Sequence, residues 1–167
     1  MLSRDVRLDG RRRAALRVTL IVAPEVGLLA WAHYAPILGD SFRKTYRRLL
    51  RWNDELPFVK FALSEDERIM LTAEVPAASL DRDAVGRTLA RLVAVCDLLH
   101  EESATFLGDW ARPRPGPPTA LLTRYAADIA ELEAHGGVVA LEADTGDGPG
   151  SGPAMGTDDR VVREATS

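Results

Sequence analysis

Few side chains in this sequence have the chemistry of a catalyst or a metal ligand: one cysteine, three histidines and scattered carboxylates. A nucleophile needs a base beside it and a group that orients the base. Cys96 and His100 are one helical turn apart, the spacing of a Cys–His pair or of half a metal site. Two ligands do not close a zinc site, and no further Cys or His pair supplies the rest. Cys96 also falls in the apolar run Leu89, Leu92, Val93, Cys96, Leu99, where a thiol behaves as a small, inert hydrophobe. His33 stands between Trp31 and Tyr34 without a partner in the local sequence and reads as structural. His135 falls in the last turn of a helix, where its charge suits the helix dipole. Glu101 and Glu102 are adjacent on a helix and point apart, a poor acid–base pair. Asp144, Asp147, Asp158 and Asp159 do not follow a calcium-loop pattern. The Gly-rich run 146–156 has no lysine and follows no strand–helix junction, so it is no phosphate cradle. No G-x-S-x-G elbow is present. The expectation is a chain with no catalytic residue, no cofactor and no metal: not an enzyme.

Charge is the one feature above background. Residues 1–60 hold 12 Lys/Arg against 6 Asp/Glu, and residues 61–167 hold 9 against 19. A basic front half can meet an acidic partner, whereas an acidic back half repels nucleic acid and membrane surfaces. The basic residues concentrate in Arg11–Arg13 and in a predicted helix over 41–55, with Arg43, Lys44, Arg47, Arg48 and Arg51 on its polar side. Its ordinary reading is a solvated face relieved by Asp54 or Glu55. The alternative is a regulator that grips nucleic acid with helix 41–55 and Arg11–Arg13, but no DNA-binding motif accompanies them and the pI is 5.4. A single cysteine permits no internal disulfide and suits a reducing cytoplasm. The stretch Leu16 to Pro36 is interrupted by Arg17, Pro24, Glu25 and His33, too broken for a membrane helix, and the start has no apolar signal core.

The elements that would position these groups follow from periodicity. Residues 1–13 are polar and are expected to be a flexible terminus. Leu16, Val18, Leu20 and Val22 alternate with Arg17, Thr19 and Ile21, which predicts a strand. Pro24 to Gly27 turns the chain into a second strand, Leu28 to Tyr34. Asp40 or Ser41 can cap the next helix, with Phe42, Tyr46, Leu49, Leu50 and Asn53 on its apolar side, until Leu56-Pro57 stops it. Phe58–Leu63 and Ile69–Val75 form a second hairpin. Ser79 or Asp81 opens a long helix running to about Trp110, with Arg87, Arg91 and Asp97 turned outward. Residues 111–118 make a Pro-rich linker, residues 119–136 a last helix bearing Leu122, Tyr125, Ile129 and Leu132 and ending at Gly136-Gly137, and residues 143–167 an acidic, disordered tail. The fold class is α+β: an antiparallel sheet of two hairpins packed against helices, within a domain over 14–110.

The run Leu49-Leu50-Arg51-Trp52-Asn53-Asp54-Glu55-Leu56-Pro57-Phe58-Val59-Lys60-Phe61, the following strand to Val75 and the Leu80-Asp81-Arg82-Asp83 helix opening resemble the YbjN domain family, labelled as sensory transduction regulators. The stretch from Phe42 to Ser103 matches best, and the 15–35 hairpin agrees more loosely. The resemblance implies a fold similar to type III secretion chaperones, with a twisted antiparallel sheet on helices, often dimeric. It also implies protein binding or regulation and carries over no catalytic residue. The chaperone-like fold has a helix before its first strand, for which only thirteen polar residues are available here. The expected function is therefore a noncatalytic, chaperone-like or regulatory protein-binding module, a homodimer with a possible protein client. Trp31, Tyr34, Arg43, Arg47, Arg51 and Trp52 are its candidate partner surface.

Overall fold

The alternation between Leu16 and Tyr34 folds as expected into a hairpin, β2 (Leu16–Ala23) and β3 (Gly27–Ile37). Gly27 makes the turn possible: its φ is +119°, and a Cβ there would stand 2.1 Å from the Val75 carbonyl oxygen. This computed structural model describes residues 1–38, 43–107 and 116–143. The proposed caps Asp40 and Ser41, the end of the long helix at Trp110, most of the 111–118 linker and the tail from Asp144 lie outside the described residues.

The second hairpin is β4 (Lys60–Leu63) and β5 (Arg68–Pro76), and β5 pairs with β3. β4 starts two residues later than the pattern predicts, because Phe58 adopts φ 67°, which breaks the extended run. One more strand precedes both hairpins. Leu2–Leu8 forms β1 and pairs antiparallel with β2, Leu2 opposite Val22 and Leu8 opposite Leu16. The five-stranded sheet runs β1-β2-β3-β5-β4. The flexible terminus expected over 1–13 is thus corrected. Charges in this segment mask the Leu2, Val6, Leu8 alternation, and its pairing partner lies outside the local window.

Helix α1 (Arg43–Glu55) stops before Leu56-Pro57, and α2 (Arg82–Leu98) starts on the Asp81 side chain, which accepts the Ala84 N–H at 2.7 Å. The chain breaks at Leu99, so the long helix is two pieces, α2 and α3 (His100–Leu107). The last helix is also broken, at Tyr125, into α4 (Ala120–Arg124) and α5 (Ala126–Ala143), and α5 continues past Gly136-Gly137. It is no appendage: α2 touches β3 and β5 on one side and α4 and α5 on another. That double coverage explains why α2 is buried almost all round, Leu89, Ala90, Leu92, Val93, Ala94 and Val95 included. No helix precedes β1 among the described residues, and α5 supplies the second helical layer.

Asp97, expected to face outward, is 6 % exposed. Its carboxylate accepts the backbone N–H groups of Arg11, Arg12 and Arg13 at 2.6, 2.9 and 3.0 Å. Such charge-assisted bonds offset the cost of burying a carboxylate, and here they close the loop between β1 and β2. A Cβ on Gly10 would lie 2.3 Å from Asp97 Oδ1. Because that carboxylate is tied to three donors and cannot retreat, Gly10→Ala is expected to destabilise the fold by about 2 kcal/mol or more. Urea unfolding against the native chain measures it, and an unchanged midpoint contradicts it.

Candidate functional site

The candidate residues fall in three places. The first is the sheet face opposite the helices. Here Asp5, Arg17, Thr19 and His33 come from three neighbouring strands. Arg17 Nη2 lies 2.8 Å from His33 Nδ1 and can only donate, so Nδ1 accepts and Nε2 carries the proton. Nε2 then donates to Thr19 Oγ1 at 3.0 Å, and the Thr19 hydroxyl donates to Asp5 Oδ1 at 2.7 Å. The arrangement looks like a proton relay, yet both ring nitrogens are already engaged, and Nε2, which carries the proton, cannot take one from the Thr19 hydroxyl. Burial, then the Arg17 charge, hold the His33 pKa below its ordinary 6.5. Trp31 is half-buried on this same face.

The second place is the interior around Cys96. Burial pushes the Cys96 thiol up to about 12, which keeps it protonated and inert. No hydrogen bond among the described residues joins Cys96 to His100, and no group of three His, Cys, Asp or Glu residues could hold a metal there. The neighbouring polar groups are structural. Arg13 is 3 % exposed, donates through Nη2 to the His33 and Tyr34 carbonyls and lies 5.0 Å from the centre of the Tyr34 ring. The Tyr34 hydroxyl bonds to Ser103 Oγ, and burial raises its pKa above the usual range. Arg11 and Arg12 pair with Glu133 and Glu101 at 3.1 and 3.0 Å. Arg11–Arg13 therefore do not extend the basic face of α1.

The third place is the face formed by α1 and β4. Trp52 and Leu49 turn inward, and the Trp52 ring lies 5.7 Å from that of Phe61. Arg48 covers Trp52 at 5.6 Å and pairs with Glu102 at 3.0 Å. Asn53, expected on the apolar side of the helix, treats β4 as a neighbouring strand would. Its Nδ2 donates to the Phe61 carbonyl at 2.9 Å, and its Oδ1 accepts the Phe61 N–H. Lys60 Nζ donates to the carbonyls of Asn53, in the last turn of α1, and Leu56, just after it. Beside this junction Leu50 and Leu63 are 68 % and 56 % exposed and line a shallow apolar groove with Tyr46 and Phe61. Phe58 is also exposed, but the Arg91 guanidinium lies 3.8 Å from its ring centre. Arg43, Arg47 and Arg51 are exposed and make no ion pair or hydrogen bond among the described residues.

The six-residue partner surface is thereby corrected. Tyr34 and Trp52 are 0 % and 4 % exposed and belong to the core. Trp31 lies on the far side of the sheet, which leaves Arg43, Arg47 and Arg51 together on α1. The groove residues Leu50 and Leu63 are new. The signal for Leu50 was its position directly after Leu49: neighbours on a helix diverge by about 100°, so a narrow core takes only one of them.

A family model described as "Putative bacterial sensory transduction regulator", YbjN, matches residues 9–103. Among solved structures, the ExoU-SpcU heterodimer from the type III secretion system of Pseudomonas aeruginosa matches at 23% identity and a TM-score of 0.45, covering 63% of this chain and 84% of that one. The ExsC-ExsE complex matches at 21% identity and a TM-score of 0.43, covering 58% of this chain and 72% of that one. No curated protein sequence matches the chain.

Two outcomes follow from the buried and half-buried titratable groups. His33 binds its proton more weakly folded than unfolded, so below pH 6.5 the unfolded chain takes up the proton first and stability falls with pH until the folded ring titrates as well. A proton-NMR titration should place the His33 midpoint below 6.5, and His33→Gln should remove this part of the pH dependence. A midpoint at or above 6.5 contradicts the assignment. Cys96 should resist a thiol reagent in the folded chain and react only on unfolding; rapid labelling of the native chain contradicts its burial.

Proposed function

Because the chain belongs to the YbjN family, we propose that it is a noncatalytic, chaperone-like regulatory module of the bacterial cytoplasm that works as a homodimer and binds a segment of another protein. The observation that carries this reading is the α1–β4 face: two exposed leucines, Leu50 and Leu63, beside three cations that have no partner among the described residues. An exposed apolar strip rimmed by one sign of charge fits a partner segment that is apolar on one side and acidic on the other. Arg47 and Arg51 flank Leu50 within one turn on either side, so an acidic residue next to a docked apolar side chain meets a cation. The polar clusters elsewhere support the same reading. His33, Asp97 and Tyr34 spend their hydrogen bonds within the fold, and Arg13 Nη2 does the same. No helix among the described residues is long and apolar enough to cross a membrane.

The double variant Leu50→Glu, Leu63→Glu adds charge to the groove without touching a buried side chain. The tagged full chain and this variant are compared for the proteins they retain from an extract of the host. The variant is expected to lose, by tenfold or more, partners that the native chain holds, with an unchanged far-UV circular dichroism spectrum. The reading fails if the variant keeps the same partners, or if the native chain retains nucleic acid in a salt-dependent way and no protein.

A further inference from the structure

The two edges of the sheet are treated differently. At β4 the Asn53 amide occupies both the N–H and the C=O of Phe61, so α1 closes that edge. At the other end of the sheet β1 runs for seven residues, and no described residue pairs with its outer side. All seven are exposed or half-exposed with charges among them, a pattern that ordinarily repels strand addition. The order of these charges is unusual. Arg4, Asp5 and Arg7 alternate in sign, and Asp5 and Arg7 share one face of the strand.

We propose that β1 pairs antiparallel with β1 of a second copy of this chain, Val6 opposite Val6, giving one continuous ten-stranded sheet across a two-fold axis. This rests on the homodimer of the preceding reading and names its surface. The argument is charge complementarity. A two-fold that keeps the faces of both sheets aligned must centre on a residue, and near the middle of β1 the choices are Arg4, Asp5 and Val6. Centring on Arg4 sets two guanidinium groups opposite each other; centring on Asp5 sets two carboxylates opposite each other. Centring on Val6 sets Asp5 of each copy opposite Arg7 of the other, twice, and puts Arg4 against Leu8.

Two further observations favour this register. Arg7 stands directly opposite Arg17 within the chain, a like-charge pair on one face. Its side chain has no ion pair or hydrogen bond among the described residues, so a carboxylate from a second copy would relieve it. Asp5 uses Oδ1 to accept the Thr19 hydroxyl and keeps Oδ2 available. Val6 and Leu8 are half-buried against the core and bring apolar contact to the same seam.

The test uses the full chain at a series of concentrations in analytical ultracentrifugation. Asp5→Arg and Arg7→Asp should each weaken the dimer tenfold or more, and the double exchange should restore it. A cross-linking arm is independent of folding effects at Asp5. Val6→Cys should oxidise to a disulfide-linked dimer, because facing Cβ atoms in such a pair are about 5 Å apart. Ser3→Cys should not, because its two copies would lie about 20 Å apart at ~3.3 Å per residue. A dimer that ignores the charge exchanges and cross-links through Ser3→Cys as readily as through Val6→Cys overturns this register but leaves the homodimer standing. A monomer at every concentration overturns both.

Discussion

The Asp97 carboxylate holds three consecutive backbone N–H groups of the loop between β1 and β2, and much of the structure depends on it. A buried carboxylate without partners would be unstable by several kcal/mol. Here the loop wraps the charge, and Gly10 leaves it the room to do so. The same loop carries the other ties of the N-terminal segment. The Asp9 carboxylate accepts the Ala15 N–H at 2.7 Å, which supports the left-handed φ of 54° at Ala15. The Asp9 carbonyl accepts the Thr119 N–H at 2.7 Å, so the start of α4 is fastened to the same point. Arg13 then enters the core and satisfies the carbonyls of His33 and Tyr34 at the bulged end of β3.

This arrangement accounts for the absence of a reactive cluster among the described residues. The groups that could do chemistry are engaged in holding strands and helices together: Asp97 on a loop, Arg13 on β3, His33 between Arg17 and Thr19, Tyr34 on Ser103. What remains free is on the outside, the cations of α1, Leu50 and Leu63 in the groove, and the edge of β1. The two ends of the sheet also divide the work. One edge is closed by Asn53 and borders the groove, and the other is open and self-complementary.

Local periodicity was enough to find both hairpins, α1, the Asp81 cap and the apolar face of α2, because each buries one side against the same core. The alternation Leu16 to Val22 and the stop at Leu56-Pro57 are signals carried within ten residues. β1 was missed because Arg4, Asp5 and Arg7 dominate its composition and its stability comes from β2. Asp97 was missed because a carboxylate on a helix is normally solvated, and nothing local shows that a loop 84 to 86 residues away will enclose it. Tyr34 and Trp52 were counted in the candidate partner surface, although core packing was the ordinary reading for Trp52; both large rings meet Phe61 inside the core. Helix breaks at Leu99 and Tyr125 leave no Gly or Pro in the sequence, so propensity did not reveal them. The family resemblance, by contrast, was carried by residues with definite structural duties: Trp52 in the core, Asn53 on the edge of β4, and Pro57 after the helix stop.

The most direct test of this account is amide hydrogen exchange of the full chain and of Asp97→Ala, followed residue by residue. If Asp97 fixes the N-terminal strand, the variant should lose protection throughout Leu2–Leu8 and the adjoining loop while β3 and β5 keep theirs. Protection of β1 that is unchanged in the variant, or lost equally across the whole sheet, would contradict it.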